Sequence, residues 1–111
     1  MARSQRIVFR NRQGRTRHNL NWDAITQESA VIITAAQWRF SGGVFGADGR
    51  PFLGEPGQEP NVYVTNVGPH GKPGGEAGGV EFLLHTESNS PIDVVVTFTA
   101  LDPVEGFEVI G

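Results

Sequence analysis

Residues 91–101 constrain the fold more than any other stretch of the chain. Ile92, Val94, Val96, Phe98 and Ala100 alternate with Asp93, Val95, Thr97 and Thr99. That is a period of two, rich in β-branched side chains, and it predicts a strand with one apolar and one more polar face. Pro91 at its start costs no ladder hydrogen bond. A strand of this kind needs partners, and the chain supplies several. Over residues 79–86, Val80, Phe82 and Leu84 face one way and Glu81, Leu83 and His85 the other. The short connection Glu87-Ser88-Asn89-Ser90 is made of turn formers, so an antiparallel hairpin between these two strands is expected.

Further strands are expected at residues 61–67 and 30–36, the latter continuing through Trp38 and Phe40. The opening reads as an N-terminal hairpin, with arms at residues 5–12 and 15–20 and a turn at Gln13-Gly14. Residues 107–110 are expected to form a short last strand. Only residues 21–28 have any helical case, and a single turn or bent connection fits them equally. No other window repeats every 3.6 residues. Six to eight short strands without a helix of consequence predict a small antiparallel β-sandwich, Ig-like or jelly-roll, with a small barrel as the alternative. The expected core includes Ile7, Phe9, Val31, Ile33, Trp38, Phe40, Val80, Phe82, Val94, Val96 and Phe98.

At 111 residues the chain is expected to be one domain, residues 1–111. Its 15 Gly are about twice the usual share and concentrate in two long loops. The first, residues 41–60, has apolar Val44, Phe45, Phe52 and Leu53 to pin it down, so an ordered loop or a hidden short strand is expected. The second, residues 68–79, has almost no apolar anchor and is expected to be mobile or partner-bound.

Cysteine is absent, which excludes disulfides, thiolate metal sites and a Cys nucleophile. No run of about 18 apolar residues exists, so no membrane-spanning helix is expected. The opening Met1-Ala2-Arg3-Ser4-Gln5-Arg6 is followed by no apolar h-region. A cytoplasmic location is therefore expected, with export by an unconventional route as the alternative.

Charge is split along the chain. Arg3, Arg6, Arg10, Arg12, Arg15 and Arg17 lie in the first 17 residues without an acid, while the rest carries three cations against 12 acids, for a net charge of −3. If Gln13-Gly14 is a hairpin turn, Arg10, Arg12, Arg15 and Arg17 share one face as opposed like charges, which is unfavourable in a sheet. A carboxylate surface on a second copy would relieve it, so a homo-oligomer contact is expected there. Nucleic acid fits poorly, because the remainder is acidic and no aromatic residues interleave with the arginines.

No phosphate-binding, zinc-protease or serine-hydrolase motif is present. Glu81, His85 and Glu87 share a parity, with Asp93 on the following strand, so a His–carboxylate site is the one enzymatic alternative. Asp48, Glu55 and Glu59 offer oxygen ligands to Ca²⁺, but their spacing is not that of an EF-hand. No cofactor is expected. Trp38, Arg39, Asp48, Tyr63 and His70 supply the aromatic faces and polar groups that a saccharide site uses. Residues 30–40, followed by a Gly-rich acidic loop, resemble the small cysteine-poor bacterial sugar lectins over that short stretch, which implies a carbohydrate ligand. No calcium-ligand motif of that family maps onto this chain. The reading of the residues is a non-enzymatic binding module that self-associates. The alternative is a structural component of a particle or phage-type assembly, docking through its Arg-rich segment.

Overall fold

A computed structural model describes residues 2–72 and 75–111. Its seven strands are β1 (Arg3–Arg12), β2 (Gly14–Asn21), β3 (Ser29–Gly42), β4 (Asp48–Phe52), β5 (Asn61–His70), β6 (Gly79–Glu87) and β7 (Ile92–Pro103). A single 3₁₀ turn, Val44–Gly46, precedes β4. No α-helix occurs among the described residues, and none there is long and apolar enough to cross a membrane. A four-stranded sheet runs in the order β1-β7-β3-β4, and a three-stranded sheet in the order β2-β6-β5. All pairings are antiparallel. The architecture is the expected β-sandwich, and the two sheets do not close into a barrel.

The pairing is nested: β1 with β7 and β2 with β6, each pair in its own sheet. Such wrapping is of the jelly-roll type, in which pairs of strands fold over one another. It overturns both expected hairpins. β1 and β2 do not pair, because the chain passes from one sheet to the other between them. Asn11 takes a left-handed φ of 55° and Gly14 one of 79° at this crossing. The alternative would set Arg against Arg across a hairpin. Instead Arg6 lies opposite Thr97 and donates to its Oγ1 at 3.0 Å. Arg15 and Arg17 lie opposite His85 and Leu83.

β6 and β7 likewise part company at residues 88–91. The inner face is apolar throughout in β7 and apolar up to Thr86 in β6, and the two faces meet across the core rather than side by side. Phe82 and Phe98 pack edge to face, with ring centroids 5.3 Å apart. The two crossings are tied together by Gln13 Nε2, which donates to the Ser88 carbonyl at 3.0 Å.

The core consists of Val80, Phe82 and Leu84 from β6, Val94, Val96, Phe98 and Ala100 from β7, and Ile25 from the connection after β2. Residues 22–28 form turns, with Ile25 as a buried plug and Ser29 Oγ accepting from the Thr26 amide at 2.9 Å. Trp38 and Phe40 are not core residues. They share the outward parity of Ile32, Thr34 and Ala36, since Val31, Ile33 and Ala35 lie opposite the buried Ala100, Phe98 and Val96. Gly49 is required beneath them, because a Cβ there would overlap the Trp38 ring and the Arg39 carbonyl.

The first Gly-rich loop hides β4, as expected, but Val44 and Leu53, expected to pin it to the core, are exposed. The second is shorter than expected, since β5 runs to His70 and β6 begins at Gly79. Its flanks are held: the Gly71 carbonyl accepts from Gln27 at 2.8 Å and the Gly78 carbonyl from Trp22 at 2.9 Å. The expectation of mobility bears on its centre, and Pro73 and Gly74 there lie outside the described residues. Residues 107–110 form no strand.

Candidate functional site

The three-stranded sheet turns Val62, Val64, Val80, Phe82 and Leu84 inward, so alternation leaves a polar outer face. One cross-strand row on it runs Arg15, His85, Tyr63. The Tyr63 and His85 rings stack within 5° of parallel, centroids 4.4 Å apart. Thr65 Oγ1 and His85 Nε2 are hydrogen-bonded at 2.7 Å. The Tyr63 hydroxyl donates to Glu87 Oε2 at 2.5 Å. That bond holds the phenol proton and raises its pKa above the ordinary value, helped by desolvation and by the carboxylate charge. Arg17 pairs with Glu81 on the same face at 3.2 Å.

Glu87 also lines a cavity of 350 Å³ where the two sheets meet, together with Gln37, Glu55, Gln58, Glu59 and Asn89. Its wall is dominated by amides, carboxylates and hydroxyls. A stacked aromatic pair therefore adjoins a recess rich in hydrogen-bonding groups, with Glu87 common to both.

Of the residues expected to form a saccharide site, only Tyr63 stands here. Trp38 lies on the outer face of the other sheet, 6.0 Å from Phe40 in an edge-to-face contact. Arg39 points to the opposite side of β3 from Trp38, its guanidinium 5.0 Å from the Phe52 ring centroid. Asp48 opens β4. His70 is held at the far end of β5, with Nε2 2.7 Å from Asn19 Oδ1 and Nδ1 3.1 Å from the Ala77 carbonyl. The five do not converge, because period two sends neighbours to opposite faces and Trp38 and Tyr63 belong to different sheets.

The four-arginine face is also dispersed. Arg10 covers Phe40 on the outside of the four-stranded sheet, its guanidinium 4.5 Å from the ring centroid. Arg12 sits 5.5 Å from the Phe9 ring centroid, on the core side. Only Arg15 and Arg17 share a face, that of the three-stranded sheet. Glu81, His85 and Glu87 do share the expected face. Asp93 does not join them: it lies on β7, where its Oδ1 accepts from the Asn11 amide at 3.1 Å. The proposed His–carboxylate set thus falls on two different sheets. Among the described residues no three His, Asp or Glu side chains are grouped to hold a metal ion. Glu55 and Glu59 reach the cavity without Asp48.

No protein-family description, curated protein or solved structure matches this chain.

Two groups escaped the sequence reading. Gln37 was unremarkable in a long strand, yet it lines the cavity. His18 was passed over, and it lies between the sheets with its ring centroid 4.5 Å from Phe9 and 5.6 Å from Phe82. Thr16 Oγ1 is 2.7 Å from its Nε2. Burial pushes the imidazole pKa down, and the Arg12 charge pushes the same way. The available signal was parity: Thr16, His18 and Leu20 alternate with Arg15, Arg17 and Asn19.

Proposed function

We propose that this chain is a non-enzymatic binding module for a carbohydrate-class ligand, held where the Tyr63–His85 pair adjoins the cavity lined by Glu87. The observation that carries this reading is the position of Glu87. It accepts from the Tyr63 hydroxyl and also forms part of the polar recess with Gln37, Glu55 and Asn89. Sugars present apolar C–H faces beside directional hydroxyls, and an aromatic group next to fixed amide and carboxylate groups suits both. Arg15, beside His85 in the register, adds a donor for an anionic substituent.

The test is a glycan array probed with the labelled chain, followed by titration calorimetry on any glycan retained. Tyr63→Ala and Glu87→Ala are expected to weaken binding by at least about tenfold, or ~1.4 kcal/mol. His70→Ala, at the other end of β5 from Tyr63, is expected to leave it unchanged. An array that retains nothing, or variants that bind as the wild type does, would overturn the reading. A second reading, a structural component of an assembly, is favoured by one separate feature: the bare apolar side chains of Phe107, Val109 and Ile110.

A further inference from the structure

The chain after β7 has an unusual surface. Its last described backbone hydrogen bond to the sandwich runs from the Val104 amide to the Glu28 carbonyl, at 2.9 Å. Beyond it, Phe107, Val109 and Ile110 are 90%, 80% and 88% exposed. Three large apolar side chains within four residues are a poor fit to water. In extended conformation Phe107 and Val109 share one side of the chain, with Glu108 between them on the other, a strand-like spacing without a sheet.

The sandwich has a matching vacancy in its pairing. β1 is the outermost strand of the four-stranded sheet and is paired on one side only. Its unpaired edge is the kind of template to which an extended segment adds. Its inner face carries Ile7 and Phe9, both only half-buried, and its outer face carries Arg6 and Arg10. Seven extended residues span about 23 Å at ~3.3 Å each, which fits within the ten residues of β1.

We infer that residues 104–110 of one copy add as an antiparallel strand to the free edge of β1 in a second copy. With Phe107 opposite Phe9 and Val109 opposite Ile7, both apolar side chains extend the core face. Glu108 then falls opposite Val8 on the outer face, diagonal to Arg6 and Arg10. Glu105 falls towards Arg12. This register puts Phe107 and Val109 on the core face and Glu108 on the arginine face, with Ile110 beside the Arg6 stem, and a slip of one residue would turn Phe107 and Val109 outward. Reciprocal exchange gives a closed two-fold dimer. This contact uses neither Tyr63 nor the cavity, so it stands apart from the carbohydrate reading.

The absence of cysteine from this sequence allows a direct test. An Ile7→Cys chain mixed with a Val109→Cys chain under mild oxidation is expected to give a disulfide-linked dimer. A control mixture of Ser41→Cys with Val109→Cys is expected to give far less. By sedimentation, the wild type is expected to be a dimer and Phe107→Asp a monomer with an unchanged circular dichroism spectrum. Arg6→Glu with Arg10→Glu is expected to weaken the dimer at least tenfold, with partial rescue by Glu108→Arg. A monomeric wild type at high concentration and low salt would overturn the inference. So would crosslinking no greater than the control, or a dimer that survives Phe107→Asp. Glycan binding measured on the same variants is expected to be unchanged, so a loss of dimer is read separately from a loss of ligand.

Discussion

His18 on β2 and Phe9 on β1 meet across the sandwich with ring centroids 4.5 Å apart, although their strands belong to different sheets. The contact places an ionisable ring where only its neutral form is well accommodated. Burial and the Arg12 charge both depress its pKa. The unfolded chain, with an ordinary value near 6.5, therefore binds a proton more readily than the folded one. Stability is full above about pH 6.5 and falls as pH drops from there through the lower folded value. In proton NMR the His18 ring is expected to titrate with a midpoint below ~6.5. In denaturant unfolding, His18→Leu should lose less stability than the wild type on acidification to about pH 5. A midpoint at or above the ordinary value would contradict the arrangement.

The Tyr63–Glu87 bond makes a second titration readable. Tyr63 is the only tyrosine in the chain, so its ultraviolet difference signal has one source. The phenol is expected to ionise above its ordinary value of about 10. Glu87→Gln removes the charge and leaves only a weaker, neutral acceptor for the phenol proton, and should bring the midpoint down. No change on that substitution would mean the bond does not persist in solution.

Thr86 is an inward residue of β6 at 1% exposure, and its hydroxyl has no hydrogen-bond partner among the described residues. Leaving a buried donor unsatisfied costs about 1–3 kcal/mol. Thr86→Val keeps the branched shape and removes that group. It is expected to raise unfolding stability by about 1 kcal/mol, measured by urea midpoint at constant slope. A lower midpoint would show that the hydroxyl is bonded in solution.

Phe98 is fully buried and touches Phe82 across the core. Phe98→Ala removes that bridge between the sheets and leaves a cavity, at a cost of about 3–5 kcal/mol. Thermal unfolding is the measurement, and a loss under about 1 kcal/mol would place Phe98 outside the load shared by the two sheets.

Strand positions were legible because alternation is a local signal: Ile92 to Ala100 states its own inner face. Pairing was not, because it depends on residues far apart. Nothing near Gln13 reveals that Ile7 lies opposite Val96 rather than against its neighbours in β2. The Ala35-Ala36 pair conceals which side of β3 faces the core, since alanine is at ease on either, and so alternation alone does not turn Trp38 and Phe40 outward. The shared face of Glu81, His85 and Glu87 followed from parity alone. The meeting of Glu87 with Gln37 and Glu55 needed the two sheets in place.

The nested order of strands also has a consequence in time. β3 with β4 and β5 with β6 are close in sequence and can pair early. β1 must await β7, and Ile7 finds Val96 only after nearly the whole sandwich has been made. At a synthesis rate of about 5–20 residues per second, that delay is on the order of 5–20 s. Throughout it, Ile7, Val8 and Phe9 are in water beside Arg3, Arg6, Arg10 and Arg12. Clustered like charge is a poor partner for itself, so these arginines act as gatekeepers that keep waiting strands of nascent chains from pairing with one another.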